Sequence, residues 1–138
     1  MGEPTYFNVP LGKGVESRNL GWMGFTEYTK CVRAASVGLS LMLSPHTSYL
    51  PLEFAACGIP VVTNCYANKT PEALNAISPS LIGSALSPQA IAKCLETAIL
   101  RAQENCARQN AGKLALPATW EESFAPVAPG LLAFMAEQ

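Results

Sequence analysis

Aspartate is missing from this chain of 138 residues, so all 10 of its acidic residues are glutamates. That absence removes any phosphoacceptor aspartate, and with it the response-regulator kind of α/β domain. It also counts against an aspartate-pair metal site, and neither a metal nor a cofactor is expected. Charge is scarce: 14% of the residues are charged and the net charge is -1. A chain without cationic excess offers no electrostatic footprint for nucleic acid or an anionic membrane. No apolar run is long enough to cross a bilayer. Met1-Gly2-Glu3-Pro4 has neither the basic nor the apolar region of a signal peptide. Tyr6 stands where a myristoylation signal on Gly2 needs Ser or Thr. No cysteine pair has CxxC spacing, and there is no internal repeat.

Nearly half of the residues are hydrophobic, 49%, which is a globular composition. The length suits one compact domain spanning 1–138. The abrupt start reads as an excised or truncated piece of a larger protein. Cys31, Cys57, Cys65, Cys94 and Cys106 are odd in number and sit mostly in Ala-rich or helical stretches. The three in such stretches read as small buried apolar residues, and a reducing, cytoplasmic compartment is expected.

Thr5–Val9 reads as a strand broken by Pro10-Leu11-Gly12-Lys13-Gly14, and Arg18–Gly24 as a second short strand entering a glycine-flanked turn. Thr26 is the expected N-cap of a helix with Tyr28, Cys31, Val32 and Ala35 on one face. Val37–Met42 is apolar on both faces, as a central parallel strand should be. Pro51–Cys57 is a short helix stopped by Gly58, and Ile59–Thr63 is the next buried strand. Asn64–Ser80 reads as irregular, followed by a short edge strand at Ile82–Ala85. Ser87-Pro88 opens a long helix with Ile91, Leu95, Ala98, Ile99 and Ala102 on its apolar face. Thr119 and Glu122 form a capping box for a last helix, which Pro126, Pro129 and Gly130 should interrupt. Short apolar strands alternating with helices predict an α/β, Rossmann-like parallel sheet with helices on both faces. Ligands of such sheets bind beyond the carboxyl ends of the strands. That rule selects Gly21–Gly24 and Ser44–Leu52.

Ser44, His46, Thr47 and Ser48 place hydroxyl and imidazole groups in one loop that feeds a helix N-terminus. Unpaired helix amides and the helix dipole favour an anion such as a pyrophosphate there. Glu53 is read into the first helical turn. A carboxylate accepts two hydrogen bonds side by side, which suits the vicinal hydroxyls of a ribose. The competing reading is a glutamate that complements the dipole beside an ordinary polar loop.

Pro51-Leu52-Glu53-Phe54-Ala55-Ala56-Cys57-Gly58-Ile59-Pro60-Val61-Val62-Thr63 resembles the P-x-x-E-A-x-A-x-G-x-P-V-V run of the nucleotide-binding domain of GT-B glycosyltransferases. Leu20–Gly24 and Ser36–Met42 resemble the segments that precede it there. Leu41–Tyr49 resembles a narrower branch, the WsaF-type rhamnosyltransferases, which use dTDP-rhamnose to build bacterial surface polysaccharides. The resemblance covers roughly residues 17 to 105. It implies the C-terminal half of a GT-B fold and an NDP-sugar partner, with dTDP-rhamnose the first guess. It also implies an acceptor-binding N-terminal domain in the full enzyme, which would be cytoplasmic or peripheral at the inner face of the membrane. The isolated chain is then not expected to transfer sugar. Two departures stand out. The wider family's first glutamate, with seven residues between it and the second at Glu53, falls on Pro45 here, so His46 or backbone groups must serve the sugar and the stereochemical outcome is open. The strand-helix-strand portion that usually carries a basic residue for the phosphates is not visible.

The resemblance further implies that Trp22 and Met23 lie near the nucleotide base; core packing is the alternative, more so for Met23. Lys69 lies in the loop after Val61-Val62 and is read as neutralising phosphate charge or as a solvated lysine. His46 is read either as a contact to the donor or as a loop histidine bonded to backbone. A cysteine nucleophile at Cys57 or Cys65 paired with His46 is disfavoured, since Ala-Ala-Cys-Gly reads as helix packing. Gly12-Lys13-Gly14 lacks the spacing of a P-loop and reads as a turn. The rival function is a non-catalytic nucleotide-sugar-binding or interaction module with the same fold.

Overall fold

The computed structural model describes residues 10–104 and 114–136. The expected strand at Thr5–Val9, Cys106, and the expected end of the long helix at 110–112 lie outside the described residues. The chain divides into two compact units, Met1–Ala35 and Ser36–Gln138.

In the first unit, β1 (Pro10–Gly12) and β2 (Val15–Glu16) pair antiparallel. The two linking residues, Lys13 and Gly14, both have positive φ, 51° and 77°. That is the backbone twist a two-residue hairpin requires. The segment read as a strand-breaker is therefore a hairpin. Arg18–Gly24 is not a strand. Asn19 Oδ1 accepts from the Gly21 N–H at 2.9 Å, and Gly21 has φ 64°, so a local side-chain turn displaces the ladder. Helix α1 (Phe25–Ala34) starts one residue before the expected cap. Its N-cap is Gly24, whose N–H donates to the Glu27 carboxylate at 3.4 Å. Val32 is its buried residue.

The second unit runs β3 (Gly38–Ser40), α2 (Tyr49–Ala56), β4 (Val61–Asn64), α3 (Pro71–Ile77), β5 (Leu81–Ser84) and α4 (Pro88–Gln103). Two more helices follow, α5 (Trp120–Phe124) and α6 (Ala128–Ala136). The sheet is parallel in the order β3-β4-β5, which bears out the α/β reading. Its centre is β4, all of whose residues are buried. The run Val37–Met42 is thus an edge strand among the described residues rather than the central one. Only three of its residues pair, and Leu39 is 46% exposed.

Val61 packs with Ala55 of α2, Leu74 of α3 and Leu81 of β5. Val62, next along the strand, turns to the other face and is equally buried. Helix α4 packs on β4 and β5 and buries Ala98. On its expected apolar face, Ile99 is half exposed.

The glycine stop after α2 is as expected. Gly58 has φ 70°, its N–H reaches the Ala55 carbonyl at 2.9 Å, and the Ile59 N–H reaches that of Phe54 at 2.9 Å. These two bonds form a Schellman closure. Ser87 caps α4 by accepting from the Ala90 N–H, and Thr119 caps α5 by accepting from the Glu122 N–H. The Glu122 carboxylate answers one residue early, on the Ala118 N–H at 2.8 Å. Pro126 does part α5 from α6, whereas Pro129 and Gly130 sit inside the first turn of α6, where a missing N–H is tolerated.

The stretch read as irregular contains α3. Thr70 is its N-cap, accepting from the Ala73 N–H at 3.2 Å, and Pro71 is its first residue. Thr-Pro is a helix-start signal, passed over because so short a helix shows little periodicity.

Candidate functional site

Two loops leave the carboxyl edge of the sheet: residues 41–48 after β3 and 65–70 after β4. They border an open cleft of about 190 Å³ with α3 as its third wall. Pro45 and Thr47 come from the first loop, Asn68 and Lys69 from the second, and Ala73, Leu74 and Ile77 from the helix. The lining residues therefore combine apolar side chains with a threonine, an asparagine and a lysine.

Loop 41–48 is anchored at its root by β4. The Met42 N–H donates to Asn64 Oδ1 at 2.7 Å, and Asn64 Nδ2 donates to the Met42 carbonyl at 3.0 Å. An asparagine side chain thus takes both main-chain groups that a longer strand would have paired. Farther along, the His46 N–H donates to Ser44 Oγ at 3.2 Å and the Ser48 N–H to His46 Nδ1 at 2.9 Å. Nδ1 is an acceptor, so the ring proton of a neutral imidazole lies on Nε2. The ring meets Tyr49 edge-on at 5.9 Å. Backbone bonding of His46 is therefore present, and Nε2 is the atom with which it could meet a ligand.

Ser48 is the N-cap residue of α2, with φ 71° and no side-chain cap bond. The helix has four terminal amides in principle. His46 takes that of Ser48, and Pro51 at the third position has none. Tyr49 and Leu50 are left, so this helix end offers an anion less than the sequence suggested. Glu53 is the fifth residue of α2 and exposed, in the second turn rather than the first. Dipole interactions fall off within the first turn, so the dipole account of Glu53 is weakened.

Lys69 is not solvated: it is 3% exposed. Its Nζ donates to the Met42 carbonyl at 3.2 Å. Burial lowers its pKa from the usual lysine value, partly offset by the Cys65 thiol, while burial raises the pKa of Cys65. Among the described residues no carboxylate pairs with it; an unpaired buried ammonium is costly, and a perturbed buried group in a cleft is a functional-site candidate.

Trp22 and Met23 belong to the first unit. Trp22 is 98% exposed; Met23 is half-buried, with its sulfur 3.8 Å from that of Cys31. Trp22 is thus not packed in a core, and Met23 is more nearly so. The structure brings Thr47 and Lys69 to one cleft, keeps Ser44, His46 and Ser48 in the same loop, and places Glu53 on the adjoining helix. Asn64 was missed, and Asn68, placed with Lys69 at the ligand edge of the sheet, was given no role. An asparagine directly after a buried β-branched run was the available signal, since a polar side chain there needs a partner.

The sequence matches the family described as WsaF, C-terminal domain, over residues 1–96. The match begins earlier and ends sooner than the stretch in which the resemblance was read. The O-antigen biosynthesis protein RfbC of Myxococcus xanthus is 48% identical over 46 residues, which are 33% of this chain and 4% of that protein. The chain therefore matches only a small part of that relative's length.

Proposed function

This chain belongs to the WsaF C-terminal domain family, and on that premise we propose that it is the nucleotide-sugar-binding half of a glycosyltransferase of bacterial surface-polysaccharide synthesis, the C-terminal half of a GT-B fold. The donor is an NDP-sugar, with dTDP-rhamnose the first candidate. The observation that carries this reading is the cleft at the carboxyl edge of the sheet, which the buried Lys69 lines together with Thr47 and Asn68. A diphosphate supplies the negative charge such a cation lacks, and the hydroxyl and amide can donate to its oxygens. As the bond from sugar to diphosphate breaks, charge grows on the departing phosphate; donors already held in place stabilise it without reorganising.

Glu53 is assigned to the ribose hydroxyls, and His46 Nε2 with Ser44 and Ser48 to the sugar side. The acceptor side is supplied by an N-terminal domain of the full enzyme, which acts in the cytoplasm or at the inner face of the membrane. Among the described residues no helix is long and apolar enough to cross a membrane.

Calorimetry with UDP and dTDP tests the reading. Glu53→Gln keeps the shape and loses charge-assisted bonds, so UDP binding should weaken by about 1.5–3 kcal/mol. The loss should be smaller with dTDP, which offers one ribose hydroxyl fewer. Equal affinities of wild type and variant for both nucleotides would remove Glu53 from the site. The chain alone should show no donor turnover; rapid hydrolysis or transfer would contradict the division of labour.

A further inference from the structure

The carbonyl oxygen of Met42 receives three donors. They are the Ser44 N–H at 2.9 Å, Asn64 Nδ2 at 3.0 Å and Lys69 Nζ at 3.2 Å. A carbonyl oxygen has two lone pairs, so one donor is surplus. Asn64 is not the surplus one, because it also holds the Met42 N–H at 2.7 Å and its side chain is fully buried at the end of β4. Lys69 differs. Its ammonium has three N–H groups and spends one on an oxygen already served twice. Among the described residues, the one titratable group that acts on it is the Cys65 thiol.

We propose that Asn64 is a positioning residue that holds loop 41–48 in place with or without ligand, while Lys69 is parked on the Met42 carbonyl and moves from it to a phosphate-class anion entering the cleft. The move leaves no orphaned acceptor, because Asn64 and Ser44 still bond the carbonyl. It exchanges a neutral acceptor for an anionic one, so the attraction between opposite charges is added to a hydrogen bond that the ammonium already makes. Thr47 and Asn68 line the same cleft and can take the remaining anion oxygens. The inference rests on the donor-site reading only for the identity of the anion; the division of labour between the two residues does not depend on it.

The test uses the full chain in two arms. Hydrogen exchange of amides 42–48 without ligand reads the loop; calorimetry with inorganic pyrophosphate and with UDP reads the anion. Asn64→Ala should speed exchange in 42–48 roughly tenfold or more while Val61–Thr63 keep their protection. If that variant does not fold, Asn64→Asp, which keeps the acceptor for the Met42 N–H and loses the donor, takes its place. Lys69→Met should leave loop exchange as in wild type and weaken pyrophosphate binding roughly 10- to 100-fold; Lys69→Arg should recover part of it. Loop exchange in Lys69→Met as fast as in Asn64→Ala would make Lys69 a structural anchor and overturn the proposal, as would unchanged pyrophosphate affinity or no pyrophosphate binding by wild type. Wild-type binding of pyrophosphate without UDP would sink the donor reading and leave this one standing.

Discussion

Replacing Lys69 by methionine should make the protein more stable. The side chain is 3% exposed, and among the described residues its ammonium makes one hydrogen bond, to the Met42 carbonyl at 3.2 Å, and no ion pair. Holding an unpaired ammonium out of water costs several kcal/mol after relaxation. Against that stands the lost hydrogen bond, worth about 1.5–3 kcal/mol for a charged donor, and less here because the carbonyl keeps Asn64 and Ser44. Methionine fills nearly the same volume with an apolar stem. The balance favours Lys69→Met by about 1–2 kcal/mol at neutral pH, which raises Tm by roughly 2–8 °C.

The sign of the pH dependence follows from the lowered pKa of Lys69. Between that lowered value and the unfolded value near 10.4, the unfolded chain binds a proton that the folded chain does not. Wild type therefore gains stability as pH rises through that window, and the advantage of Lys69→Met shrinks. The raised pKa of Cys65 acts in the opposite sense, but it is present in both proteins, and the difference between them largely removes it. Urea melts of both proteins at a series of pH values from about 7 to 10 read the effect. A variant less stable than wild type at neutral pH, or an advantage that does not shrink with pH, would refute the unpaired-cation account.

Gly83→Ala should destabilise by about 1–3 kcal/mol through overpacking. An added Cβ would stand 2.9 Å from Cys65 Sγ, 3.0 Å from Pro71 Cα and 3.1 Å from Leu74 Cδ1, and the Pro71 atom is backbone. A denaturant midpoint equal to wild type would contradict it. Cys31, Cys57, Cys65 and Cys94 are free, so thiol titration of the non-reduced, denatured chain should count five thiols with Cys106. Before denaturation Cys65 should alkylate slowly, because burial disfavours its thiolate; a stable intramolecular disulfide would overturn the reduced assignment.

Some features were legible because they are local. Gly58 stops α2 through its own positive φ, and Ser87 and Thr119 cap their helices through hydroxyls three residues from the amide they bond. Val61 and Val62 were readable as a strand buried on both faces, since a doubly covered strand has no polar side. The resemblance of Pro51–Thr63 led to the family that residues 1–96 match. Other readings failed where local signals competed. Asn19 bonds the Gly21 amide and suppresses a strand at Arg18–Gly24.

By itself, then, the sequence determined the parallel α/β class, the two ends of α2 to within a few residues, and the polar loop before it, because periodicity and caps act within a turn or two of chain. Tertiary structure alone decided which strand is central, since that depends on which edges find partners. It also decided that Lys69 is buried rather than solvated. Met42 and Lys69 are separated by 27 residues, and no pattern in the intervening chain says that a lysine will close on that carbonyl. Only the parallel pairing of β3 with β4 brings their two following loops to one edge of the sheet, and there the ammonium loses its water.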